Sequence, residues 1–144
     1  MKGLAVMSID RPLRFTFIDD DRGIVAEFLR QLDADRHAEI QTISSSPFLD
    51  EFLEKTIARF EPDLIVLDLF LQIDTLSGER ILRGLRRSER LRGIGVVLLS
   101  SFLDEGHKIV RKYEHSLRDA ISKTDPEWRE KLWRYALQAA EAKR

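Results

Sequence analysis

The sequence predicts an α/β domain: a doubly wound parallel sheet of five strands with helices on both faces. Three observations carry this. Short apolar runs alternate with longer segments in which apolar residues recur at helical spacing. The alternation continues without interruption from Arg14 to the last predicted helix, which implies βα units and a parallel sheet. The best runs, Leu64-Ile65-Val66-Leu67 and Val96-Val97-Leu98-Leu99, are apolar throughout, as strands covered on both faces are.

The elements follow in order. Residues 14–18 form the first strand, and 22–32 the helix after it, with Ile24, Val25, Phe28, Leu29 and Leu32 at helical spacing. Residues 39–43 make a second, weaker strand. Ser46 and Pro47 are expected to open the next helix, as N-cap and first helical residue, with Phe48, Phe52 and Phe60 marking its face. Residues 63–68 form the third strand. Ser77 is expected to cap a helix carrying Ile81, Leu82 and Leu85 that ends by Gly93. The fourth strand spans 95–100, a helix 103–114, and a short fifth strand 117–122. Asp125-Pro126-Glu127 starts a last helix that runs nearly to Arg144. On it, Trp128, Leu132, Ala136 and Ala139 make one stripe, and Trp133, Leu137 and Ala140 a second. One stripe is enough for the core. The second is either further core or a surface for a partner.

The totals narrow the function. A chain of 144 residues suffices for one domain with a sizeable core. Residues 1–13 read as an N-terminal extension without a signal-peptide apolar region, and 14–144 as a single domain with no output domain attached. Net charge is −1, from 24 basic and 25 acidic residues, so no global field favours nucleic acid or an acidic membrane. There is no cysteine, which excludes disulfides and thiolate metal sites and suits a reducing cytoplasm. No apolar stretch approaches the ~20 residues of a membrane span. The arginines at 80, 83, 86, 87, 90 and 92 lack interleaved aromatic residues and read as a solvated, partly ion-paired face rather than a nucleic-acid surface. His37, His107 and His115 lie away from the strand ends and read as surface residues.

Four strand-like runs stop abruptly at a reactive polar group: Ile18 at Asp19-Asp20-Asp21, Leu67 at Asp68, Leu99 at Ser100, and Ile121-Ser122 at Lys123. Open α/β sheets bind ligands outside the carboxyl ends of their strands, so these residues should meet at one edge. Two carboxylates ~4 Å apart repel by roughly 4 kcal/mol at an effective dielectric of about 20, so the cluster needs a cation. Oxygen ligands without His or Cys suit Mg²⁺ or Mn²⁺. Asp68, Ser100 and Lys123 then supply a nucleophile, a hydrogen-bond donor and a fixed cation, the parts that phosphoryl transfer needs. Asp21 reads as the cap of the first helix, and Ser100 is preferred to its neighbour Ser101.

In this pattern the chain resembles the response-regulator receiver domain of two-component signalling, over about residues 14–140. The resemblance implies a flavodoxin-like (βα)5 fold and a phospho-acceptor at Asp68. It implies an Mg²⁺ site made by Asp20 directly, Asp19 through water, Asp68 itself and the backbone carbonyl of Phe70. Ser100 would bond a phosphoryl oxygen and Lys123 would pair with the phosphoryl group. The implied donor is a histidine kinase or histidine phosphotransfer protein. The implied output surface joins the helix at 103–114, the fifth strand and the last helix, and binds a downstream protein or a second copy as a homodimer. The chain would catalyse only its own phosphorylation and dephosphorylation. Phe70 and Phe102, each two residues past a site residue, would flank the hydrolytic water, which implies slow autodephosphorylation.

Some residues depart from the family pattern. The loop 69–77 is about two residues longer than usual and lacks the customary proline, and Gly78 stands for a displaced family glycine. Thr124 follows Lys123 where a proline is usual, and Ala120 occupies the position of the switching aromatic residue. These departures bear on switching rather than on phosphorylation. They motivate the alternative of a phosphate-independent binding module with the same fold, a pseudo-receiver. A phosphatase acting through an aspartyl phosphate would need a further general acid and a lid, which the sequence does not offer.

Overall fold

The computed structural model describes residues 11–30, 32, 36–44, 48–68, 77–101, 111–113 and 115–143. Five strands, β1 (Leu13–Ile18), β2 (Ala38–Ile43), β3 (Leu64–Leu67), β4 (Val96–Ser100) and β5 (Asp119–Ser122), form one sheet in the order β2-β1-β3-β4-β5. Every pairing is parallel. The helices are α1 (Arg22–Arg30), α2 (Glu51–Phe60), α3 (Ser77–Arg87) and α4 (Trp128–Ala142). Residues 111–113 are also helical, and the rest of the helix expected over 103–114 lies outside the described residues.

The absence of polar alternation in the central strands has a direct structural cause. Phe15, Phe17, Leu64, Val66, Val97 and Leu99 point to one face and pack with Ile24 and Phe28 of α1 and with Trp128, Leu132, Ala136 and Ala140 of α4. Ile18, Ile65, Leu67, Val96 and Leu98 point to the other and pack with Ile57 of α2 and Ile81, Leu82 and Leu85 of α3. Each such side chain contributes about 1.5–3 kcal/mol by leaving water. Phe15 and Phe28 meet edge to face with ring centroids 4.8 Å apart. The one buried polar side chain of β1, Thr16, is satisfied: its hydroxyl donates to Gln41 Oε1 at 2.8 Å, and Gln41 donates to the Thr56 carbonyl at 3.2 Å.

Several expectations change. The second helix begins at Glu51, capped by Asp50, whose carboxylate accepts the Leu53 N–H at 2.8 Å. Ser46 and Pro47 lie outside the described residues. With the start moved to Asp50, the buried side of α2 runs through Leu53 and Ile57, while Phe48 and Phe52 are 56% and 75% exposed. Ser77 is the first residue of α3 itself. The second stripe on α4 is core rather than free surface: Ala140 is buried, and Trp133 and Leu137 are partly buried against the same cluster, because α4 lies along β1 and β3. Among the described residues no helix is long and apolar enough to cross a membrane.

Strand order sets the position of the site. From β1 the chain moves outward to β2, then returns to the other side of β1 as β3. The crevice at this reversal lies between the carboxyl ends of β1 and β3, which lead into Asp19 and Asp68.

Candidate functional site

Backbone hydrogen bonds extend the sheet one residue past its strands and fix the polar residues there. The Asp19 N–H donates to the Ile43 carbonyl at 3.1 Å, the Asp68 N–H to Ile18 at 3.0 Å, and the Lys123 N–H to Ser100 at 2.9 Å. Because Ile18 is in register with Leu67, the next residues, Asp19 and Asp68, emerge side by side. Ser100 is in register with Ser122, so Lys123 leaves the sheet beside it.

Lys123 reaches back across the edge. Its Nζ lies 3.0 Å from Asp19 Oδ2 and donates a hydrogen bond to Asp68 Oδ2 at 3.2 Å. The three side chains are only 3%, 11% and 12% exposed for Asp19, Asp68 and Lys123. Burial pushes the Asp19 carboxyl above the usual range, and the Asp68 charge adds to this against the pull of the Asp21 N–H and Lys123. Burial works against the Lys123 charge, but Asp68 and Asp19 outweigh it and raise its pKa above the ordinary lysine value. Asp19 Oδ1 accepts the Asp21 N–H at 2.8 Å, and Asp21 accepts the Gly23 N–H at 2.9 Å, which caps α1 as expected. Asp20 is half-buried at the same edge. Ser100 is fully buried whereas Ser101 is exposed.

A divalent cation fits these residues. Two enclosed carboxylates share one ammonium, and Asp19 Oδ2, buried beside it, makes no aligned hydrogen bond among the described residues. Among the described residues no group of three or more His, Cys, Asp or Glu is gathered tightly enough to hold a metal unaided. Mg²⁺, which takes one or two carboxylates and completes its shell with water or phosphate oxygens, suits that donor set.

No protein-family model and no curated protein matches the sequence. Solved structures do match the fold. A sensor protein from Polaromonas sp. JS666 superposes with TM-score 0.65 at 21% identity, over 92% of this chain and 98% of that one. A CheY-like response regulator receiver domain protein from Methanospirillum hungatei JF-1 gives 0.63 at 15% identity, over 92% and 99%. The phosphorylated cyanobacterial phytochrome response regulator RcpA gives 0.60 at 20% identity, over 92% and 91%. The fold is that of the response-regulator receiver domain.

Within this receiver fold, Asp19, Asp68 and Lys123 come together, and Ser100 and Asp20 stand at the same sheet edge. Phe70, Phe102 and the long loop through residue 76 lie outside the described residues. Where a proline is usual, Thr124 closes the turn with hydroxyls: Ser122 Oγ and Thr124 Oγ1 are 2.7 Å apart, and the Thr124 N–H donates to Ser122 Oγ at 3.1 Å. Ala120 packs, partly buried, against the α2–α3 side of the core. His37 and His115 are exposed, as expected; His107 is outside the described residues.

Sequence reasoning missed two charged residues away from this edge. Arg86, grouped with the solvated arginines, is half-buried and donates to the carbonyls of Arg92, Ser116 and Ile94. Its spacing was the available signal, since it lies one helical turn beyond the buried Leu82. Asp63, read as the start of a strand, is a buried carboxylate held by two Arg11 nitrogens at 2.7 and 2.8 Å and by the Arg14 N–H at 2.8 Å. No spacing in the sequence announces that contact.

Proposed function

We propose that this chain is a phospho-accepting receiver, and that Asp68 takes a phosphoryl group from a phosphohistidine on a kinase or phosphotransfer protein. The observation that supports the reading best is the single lysine set between two enclosed strand-end carboxylates. One Asp68 oxygen attacks phosphorus, the P–N bond breaks, and the imidazole leaves with its electron pair. Asp19, Asp20, Asp68 and the Phe70 carbonyl would hold Mg²⁺, which when bound neutralises charge on the transferring group. Lys123 shifts its pairing from the Asp68 carboxylate to a phosphoryl oxygen, and the Ser100 hydroxyl donates to another. The acyl phosphate brings a charge of about −1.5 to −2 where Asp68 had −1. That gain draws on Lys123 and Ser100, which lie on the strands next to the proposed output surface, and a downstream protein or second copy reads the change.

The test is exposure to acetyl phosphate or beryllofluoride with Mg²⁺. A mass gain of one phosphoryl group, or NMR shifts around residues 19–20, 68, 100 and 123, is expected for the wild type and is lost in Asp68→Asn. A wild type that neither responds nor binds Mg²⁺ would be a phosphate-independent module instead.

A further inference from the structure

The opposite edge of the sheet carries a second polar feature. A cavity of about 380 Å³ opens at the amino ends of β3, β4 and β5, roofed by the end of α4. Its volume falls within the ~300–1,000 Å³ of small-molecule sites. Arg86, Arg92, Arg118 and Lys143 line it, against one carboxylate, Asp63. That carboxylate is held by the two Arg11 contacts and the Arg14 N–H, with Lys143 Nζ further off at 3.4 Å.

Arg86 is the unusual member. Its guanidinium donates to three carbonyls, Ile94 at 2.8 Å, Arg92 at 3.1 Å and Ser116 at 3.3 Å. No carboxylate pairs with it among the described residues, and its buried Nε has no partner. Burial alone pushes its pKa down. A desolvated guanidinium balanced only by carbonyl dipoles is costly, and an anion would offset that cost. The cavity is not purely ionic. Leu64, Leu117 and the Tyr135 ring give it apolar walls, and the Arg118 guanidinium lies 5.5 Å from that ring centroid. Gly95 keeps the wall open to Arg118, since a methyl group there would come 2.9 Å from Arg118 Cγ.

We propose that this cavity binds a small phosphorylated metabolite of about mononucleotide size. Several basic groups from separate segments suit a multiply charged tetrahedral anion, and the apolar and aromatic walls suit the organic body attached to it. The site is separate from Asp68 and needs no divalent cation.

The experiment is an amide NMR titration of the Asp68→Asn protein in EDTA, with adenosine monophosphate, inorganic pyrophosphate, adenosine and citrate as probes. Saturable shifts confined to residues 92–95, 115–118 and 135–143 are expected with adenosine monophosphate and, more weakly, pyrophosphate. Adenosine should bind at least about tenfold more weakly, since charge-assisted hydrogen bonds are lost. The double variant Arg118→Gln, Lys143→Gln should weaken adenosine monophosphate by about tenfold or more while leaving distant amides unmoved. Three results would overturn the proposal: no saturable shift with either phosphate probe at millimolar concentration, shifts centred on Asp19 and Lys123, or equal binding of adenosine or citrate. Arg86 would then be only a clamp on the carbonyls of the α3–β4 loop and of Ser116 ahead of β5.

Discussion

Lys123 is one ammonium between two carboxylates, and it compensates a repulsion that the fold itself creates. Replacing it with an uncharged side chain of similar length removes the ammonium that both Asp19 and Asp68 contact. Lys123→Met is therefore expected to lose on the order of 3 kcal/mol of stability in EDTA. Saturating Mg²⁺ should restore more to the variant than it adds to the wild type, because the metal takes over the role of the missing ammonium. Urea denaturation with and without Mg²⁺ measures both. Equal Mg²⁺ effects in the two proteins would mean that the carboxylates do not share one charge-compensating site. The participating residue types were legible in the sequence because each ends an apolar run. The lysine's double pairing was not, since it depends on side chains 55 and 104 positions apart meeting in space.

At the scale of elements, α3 packs closely against the chain ahead of α2. Its Gly84 faces the segment leading into α2, where an added methyl group would come 2.9 Å from Leu49 Cβ. Alanine ordinarily favours a helix over glycine by about 1 kcal/mol. Here the contact is with a Cβ held close to its backbone rather than a flexible tip, so overpacking of about 1–3 kcal/mol should win. Gly84→Ala is expected to lower the midpoint of thermal unfolding; a rise would show that Leu49 yields freely. Helical spacing identified the buried residues of α3 and most of those of α4, where Ala140 rather than Ala139 completes the buried stripe, but it could not rank polar residues at the margin of a stripe. Arg86 lies at such a margin, and only the carbonyls of the following loop and of Ser116, ahead of β5, decided its burial. The start of α2 was misread because Ser46-Pro47 and Asp50 are both good capping signals, and local chemistry alone does not choose between them.

For the molecule as a whole, the two edges of the sheet treat buried charge in opposite ways. At the candidate site, two acids compete for one base. At the other edge, one acid, Asp63, holds Arg11 at 2.7 Å and Lys143 at 3.4 Å, tying segments near both ends of the described chain to the start of β3. Burial works against the Asp63 charge, but Arg11, the Arg14 N–H and Lys143 outweigh it and hold its pKa below the ordinary value. A carboxyl depressed in the folded state contributes stability above its unfolded pKa, and that contribution is lost as pH falls through the folded value. Asp63→Asn is expected to be less stable than wild type near neutral pH by about 1–3 kcal/mol. The gap should close as pH falls below about 4, where the wild type loses this contribution and the variant has none to lose. Urea midpoints between pH 7 and pH 2 test this, and parallel curves would remove Asp63 from the account.

The sequence by itself determined the parallel α/β class, the five strands and the reactive residues at their ends. These are local properties: apolar run length, helical period, and the residue at which each run stops. Tertiary structure alone decided which of those residues touch, and where charge is left enclosed. The strand order that puts Asp19 next to Asp68, the reach of Lys123 to both, and the cavity around Arg86 depend on register and packing between segments remote in the chain. A linear pattern carries no distances between such segments.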